Sequence, residues 1–120
     1  MTPFGVILQK CVQATPDAIG GAFADSEGEM VDSYATIDPH EWAVITAQFG
    51  VIFALLKSVF GVWHYGDVEL FIAQHKKLEI LVHEVDAGYF ALLAAKPPAN
   101  LDLALPQLRV AVAALRKEMA

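Results

Sequence analysis

The chain has a single cysteine, Cys11, among 120 residues. That excludes an intrachain disulfide and a thiolate zinc framework, each of which needs several. Cys11 stands with Phe4, Ile7, Leu8 and Val12 at helical spacing, so it reads as a small core residue rather than a reactive thiol. Basic residues are also scarce. Eight Lys and Arg against fourteen Asp and Glu leave a net charge of −6, which disfavours a nucleic-acid partner. An acidic balance of this size serves solubility and leaves room for a basic partner surface. No secretory signal is read, because residues 2–14 lack a basic start and Gln9 and Lys10 break their apolar stretch; a cytoplasmic protein is expected. There is no P-loop and no GxGxxG, and Ser26, Ser33 and Ser58 stand in no nucleophile-elbow context. His40, His64, His75 and His83 form neither HxxxH nor HxH, so a metal site has no sequence support. Asp25, Glu27, Glu29 and Asp32 are close in sequence but lack the spacing of a calcium loop. Glu41 and Glu69 could meet in space, yet a helix cap already accounts for Glu41. With no converging polar groups, the expectation is a non-enzymatic protein without catalytic residues, metal or cofactor.

What the chain has in excess is apolar surface. Its hydrophobic fraction of 56% is above the usual range. A chain of this length fits one compact domain over residues 1–120, and the excess points to apolar surface reserved for assembly. The longest apolar run, Asp38 to Trp63, organises the rest. Asp38 is a good N-cap, Pro39 falls at the first helical position, and Glu41 completes a capping box. Placing residues 100° apart gives three faces. Trp42, Ile45, Phe49, Ile52, Phe53, Leu56, Val59 and Phe60 form a large apolar one. Val44, Val51, Leu55 and Val62 form a second, branched stripe. Ala43, Ala47, Gly50, Ala54 and Gly61 form a strip of small residues, edged by Thr46, Lys57 and Ser58. A surface helix needs only one apolar stripe, so the second calls for a partner. The run from Ala43 to Val62 is about long enough to cross a bilayer. Gln48 and Lys57 within it, the polar cap and the unlike faces argue against membrane insertion. Burial within a monomer core is the other competing reading, disfavoured because small domains seldom bury a helix on every side.

The remaining elements follow from periodicity and turn signals. Thr2 and Pro3 open a first helix that Thr15-Pro16 ends. Ala18 to Ala24 is a strand whose Gly20-Gly21 marks a bulge or a close approach. Asp25 to Gly28 turns into a returning strand, Glu29 to Ile37. Val62 to Gly66 turns the chain after the long helix. Strands then run from Val68 to Ala73, Leu78 to His83 and Tyr89 to Ala95, with Glu84 to Gly88 as the last turn. Tyr89 to Ala95 lacks polar alternation, as a central strand covered on both faces should. A final helix starts near Leu101 or Asp102, with Pro106 able to move that start later. Leu101, Leu105, Leu108, Val112 and Leu115 line its buried side. The fold class is α+β in the order α-β-β-α-β-β-β-α. The expected packing is a five-stranded antiparallel sheet between the long central helix and the two terminal helices.

This order resembles the Roadblock/dynein-light-chain (Roadblock/LC7) family, from about Phe4 to Met119. The segment TPDAIGGAFADSEGEMVD resembles its first hairpin. The apolar helix with Ala47-Gln48-Phe49-Gly50, the strand Gly88-Tyr89-Phe90-Ala91-Leu92 and the closing helix resemble its later elements. The resemblance, nearest to bacterial MglB-like members, implies a homodimer with the long helices side by side and the middle strands joined. It also implies a Ras-like small GTPase as partner, regulated by docking rather than by a supplied catalytic residue. Two functions follow: a dimeric regulator or adaptor of such a GTPase, or a purely structural dimerisation subunit of a motility, sensory or transport assembly. The candidate dimer residues are Val44, Val51 and Leu55 of the second stripe, with Val68, Leu70 and Ile72 of a strand expected at the sheet edge. The candidate partner-binding residues are Ala43, Ala47, Gly50, Ala54 and Lys57. That strip serves equally well to bring the two helices of a dimer together.

Overall fold

Short turns between successive strands leave antiparallel pairing as the simple solution, and the computed structural model of the chain, which describes residues 1–61 and 64–120, has it. The elements are α1 (Pro3–Ala14), β1 (Ala18–Asp25), β2 (Met30–Ala35), α2 (Pro39–Phe60), β3 (Leu70–Gln74), β4 (Glu79–Asp86), β5 (Tyr89–Ala95) and α3 (Leu101–Met119). The five strands form one antiparallel sheet in the order β2-β1-β5-β4-β3. The expected fold class and layering are therefore found. β5 lies at the centre and is buried from Phe90 to Ala95, as its unbroken apolar sequence requires.

Strand alternation divides the core into two layers. Phe23, Leu81, Val85, Ala91 and Leu93 meet α1 and α3 on one face. Ala22, Ala24, Ile80, Val82, Phe90, Leu92 and Ala94 meet Trp42, Phe49 and Phe53 of α2 on the other. Small residues on β1 leave room for the bulky side of α2. A Cβ on Gly20 would stand 2.9 Å from the Trp42 ring, so the close approach at this glycine is the indole's. The β1–β5 register also shifts between Ala18 and Gly20, the bulge that the paired glycines signalled.

The helix starts are capped as their sequences dictate. The Thr2 hydroxyl oxygen accepts from Gly5 N–H at 3.3 Å, Asp38 Oδ2 from Glu41 N–H at 2.9 Å, and Asn100 Oδ1 from Asp102 N–H at 3.1 Å. The Thr2 hydroxyl also donates to Asp32 on β2, tying the first helix to that edge strand.

Boundaries depart from expectation in the strands, and β2 is shorter at both ends, Met30–Ala35 instead of Glu29 to Ile37. β3 starts at Leu70, so Val68 precedes the strand. β4 runs on to Asp86, because the β4–β5 hairpin needs only Ala87 and Gly88 to turn, with Gly88 at φ +84°. α3 begins at Leu101, as expected, and Pro106 does not move the start later. Pro106 is solvent-exposed, so the carbonyl its ring leaves unpaired has access to water. The turn expected at Val62 and Trp63, and the place of Val62 in the second stripe, lie outside the described residues.

Candidate interaction surface

A helix lying on a sheet shows half its circumference to solvent, and α2 makes that half apolar. Its sheet side is centred on Trp42, Thr46, Phe49, Gly50 and Phe53, all buried. Its outer arc carries Ala43, Val44, Ala47, Gln48, Val51, Ile52, Ala54, Leu55, Ser58 and Val59, all exposed. Gln48 and Ser58 are the only polar residues of that arc. Leu55 is 60% exposed, Val59 59% and Val51 57%, values that belong to an uncovered seam rather than to scattered apolar contacts. Over 22 residues the seam is about 33 Å long at 1.5 Å rise per residue. By length and composition α2 would also pass for a membrane span.

The second stripe was legible: Val44, Val51 and Leu55 stand at the middle of the outer arc. The sheet-facing side of α2 is narrower than the spacing predicts. Ile52 and Val59, assigned to the sheet side, face solvent at 40% and 59%. Thr46, assigned to the edge of the small strip, is fully buried and donates its hydroxyl to Trp42 O at 2.9 Å. That internal bond lets a threonine sit on the sheet side without an unpaired hydroxyl.

The small strip divides. Ala43, Ala47 and Ala54 are exposed, but Gly50 is buried. A Cβ there would stand 2.8 Å from Gly28 Cα and 3.2 Å from two ring carbons of Phe90. The other backbone that Gly50 admits is thus the protein's own β1–β2 turn. Gly28 has φ +80° and itself faces the backbone of Ala47, so helix and turn meet glycine to glycine. Lys57 is half-buried, paired with Glu84 of β4, its Nζ 5.3 Å from the Phe53 ring centroid. Gly50, Ala54 and Lys57 share a cleft of about 30 Å³ with Ser26, Tyr89 and Phe90, room for about one water molecule.

β3 is an edge strand, as expected, but its side chains do not extend the α2 seam. Leu70 packs on the α1/α3 side of the sheet, and alternation puts Ile72, 38% exposed, on that side too. Val68, Phe71 and Ala73 pack on the α2 side. The candidate dimer residues therefore fall on both faces, and the edge backbone of β3 is what connects them.

Polar groups do not converge on any reaction centre among the described residues, and no three His, Cys, Asp or Glu side chains are placed to hold a metal ion there. His83 is buried, its Nδ1 2.7 Å from Glu84 O; a carbonyl only accepts, so that nitrogen carries the proton. His75 lies edge-on to the Phe49 ring, centroids 5.9 Å apart. Burial pushes the Cys11 thiol up to about 11, partly offset by its hydrogen bond with Thr15. A thiol so raised is not a nucleophile at neutral pH.

Three helices sandwiching a five-stranded antiparallel sheet in this order make up the Roadblock/LC7 fold, and the chain adopts it. Among solved structures, MglB of Myxococcus xanthus superposes with a TM-score of 0.88 at 11% identity, over 99% of this chain and 96% of that one. A Roadblock/LC7 domain of Streptomyces avermitilis gives 0.85 at 16%, over 95% of each chain. An MglB described as having a tetrameric arrangement gives 0.83 at 14%, over 93% and 84%. No family model matches the sequence, and no curated protein matches it.

Proposed function

We propose that the chain is a non-enzymatic, homodimeric regulator or adaptor, one Roadblock-type unit over residues 1–120, that docks a Ras-like small GTPase in the cytoplasm. The observation that carries the reading is the outer arc of α2, apolar apart from Gln48 and Ser58 and uncovered. Protein is a better cover for it than lipid. α2 is fixed to a sheet with two edge strands, and unpaired edge backbone cannot enter hydrocarbon. A two-fold pairing sets the arc of one copy against the same arc of the other, with Val44, Val51 and Leu55 at the seam and β3 edges brought together. An MglB of the same fold is described as tetrameric, which supports self-association as a habit of this architecture. Ala43, Ala47 and Ala54, flanking that seam, then offer a shallow platform for the GTPase, with Lys57 at its margin. Gly50 contributes by letting the β1–β2 turn close against α2 rather than by touching the partner.

The test is to add the purified protein to a Ras-like small GTPase encoded beside it. Binding, and turnover or exchange altered by the protein and lost with Ala47→Arg or Ala54→Arg in a folded dimer, is the expected result. A dimer that neither binds the GTPase nor alters its nucleotide cycle refutes docking and leaves the structural dimerisation subunit as the function.

A further inference from the structure

A second apolar feature lies on the far side of the sheet from α2. α1 and α3 pack side by side over Phe23, Leu81 and Leu93. A groove of about 290 Å³ runs between them. Cys11 and Ala111 are buried and form its floor, while Val6 and Val110 rise at its rims, 54% and 66% exposed. Those two valines need a reason. β-branched residues are among the weaker helix formers, and water returns nothing for an exposed isopropyl group.

The charge of the groove is as distinctive as its shape. Lys10 is the one charged residue lining it, and it has no ion pair among the described residues. No carboxylate lines the groove, in a chain that carries fourteen, and α1 contains none. We infer that this groove receives an amphipathic helix of a partner protein, apolar face down, with a carboxylate at its edge to meet Lys10. Two packed helices offer the ridges into which a third fits, and small Ala14, Ala111 and Ala114 let its backbone approach closely. α1 has 12 residues, so a partner helix of about three turns spans the site. A second copy of this chain is the poorer occupant, since isologous pairing here sets Lys10 towards Lys10 with no carboxylate between. A bilayer is poorer still, because the feature is concave. The site is on the opposite layer from α2 and is independent of the dimer and GTPase reading.

The probe is a synthetic stapled helix of roughly 14 residues, with leucines at i, i+4 and i+7 and glutamates flanking them, and a twin carrying lysines for the glutamates. Titrated into the full ¹⁵N-labelled chain, the glutamate helix should shift amides around Lys10, Gln107 and Val110 and leave those of α2 unmoved. It should bind about fivefold tighter than its twin, and Lys10→Glu should reverse that order. Val110→Asp, at an exposed position, should abolish binding with the circular dichroism unchanged. Shifts on α2, no shifts, or a preference indifferent to Lys10→Glu would overturn the inference. So would a change of oligomeric state in Val110→Asp, which would give the groove to a second copy. Sedimentation with phosphatidylserine vesicles that Val110→Asp abolishes would give it to a membrane and overturn the inference equally.

Discussion

Replacing Gly50 by alanine tests whether this glycine serves the fold or an interface. In an open helix interior the change stabilises by about 1 kcal/mol, because alanine restricts the unfolded chain. Here the new methyl would stand 2.8 Å from Gly28 Cα and 3.2 Å from the Phe90 ring, inside normal carbon–carbon contact of about 3.5–4.0 Å. The turn cannot easily retreat. Gly28 N–H donates to Asp25 O at 2.9 Å, Asp25 N–H to Glu29 O at 2.9 Å, and Asp25 Oδ1 accepts from the N–H groups of Glu27 and Glu29, each at 3.0 Å. Overpacking of this kind costs roughly 1–3 kcal/mol, more than the helix gains. The expected net is destabilisation of about 1 kcal/mol, a melting temperature lower by about 3–5 °C. Urea unfolding at fixed protomer concentration is the assay, since self-association couples stability to concentration. The midpoint should fall with the slope unchanged, and the oligomeric state should stay as in the parent. A Gly50→Ala protein that is more stable than the parent, or that changes its oligomeric state, refutes the glycine-to-glycine account.

Other perturbations follow from the same structure. Burial raises the Asp32 carboxyl, but hydrogen bonds from Thr2 and the Ser33 N–H, with the nearby N-terminal charge, outweigh it and leave the group below its ordinary 3.8. A depressed folded value contributes stability that is complete above the unfolded value and is lost as pH falls through the folded one. Asp32→Asn should therefore lower stability most at neutral pH, with the deficit shrinking as pH falls below about 4, so that the acid limb is flatter than the parent's. With its thiol near 11, Cys11 should be about a thousandfold less ionised at pH 8 than in full thiolate form. Iodoacetamide should accordingly modify it far more slowly in the folded chain than in urea; equal rates would show that it is not buried.

What the sequence made legible was what local chemistry decides. Thr2-Pro3 and Asp38-Pro39 place their helices because a capping oxygen and a proline act within one turn. Tyr89 to Ala95 declares a central strand because seven residues without polar alternation need cover on both faces. The rotation of α2 about its axis was less legible, since an almost wholly apolar helix has weak periodicity. Ile52 and Val59 look as core-like as Phe53 until the sheet selects Trp42, Thr46, Phe49 and Gly50 as the contact. Gly50 asked for a close neighbour, but its identity, Gly28, lies 22 residues away and emerges only when the hairpin turn reaches the helix. The side assignment of Leu70 and Ile72 depends on strand register for the same reason. The α1/α3 groove was invisible because Val6 and Val110 are unremarkable singly and become a pair only by packing.

Light scattering at micromolar concentration tests most directly the claim that the outer arc of α2 is a protein seam. The parent should have twice the 13.0 kDa chain mass. Leu55→Asp removes a side chain that is 60% exposed in the single chain and, in the proposed dimer, sets two carboxylates towards each other across its two-fold axis. A loss of about 3 kcal/mol or more weakens association at least a hundredfold. The variant should fall to the mass of one chain with its circular dichroism unchanged. A parent that already runs at the mass of one chain, or a Leu55→Asp variant that keeps the double mass, contradicts the account.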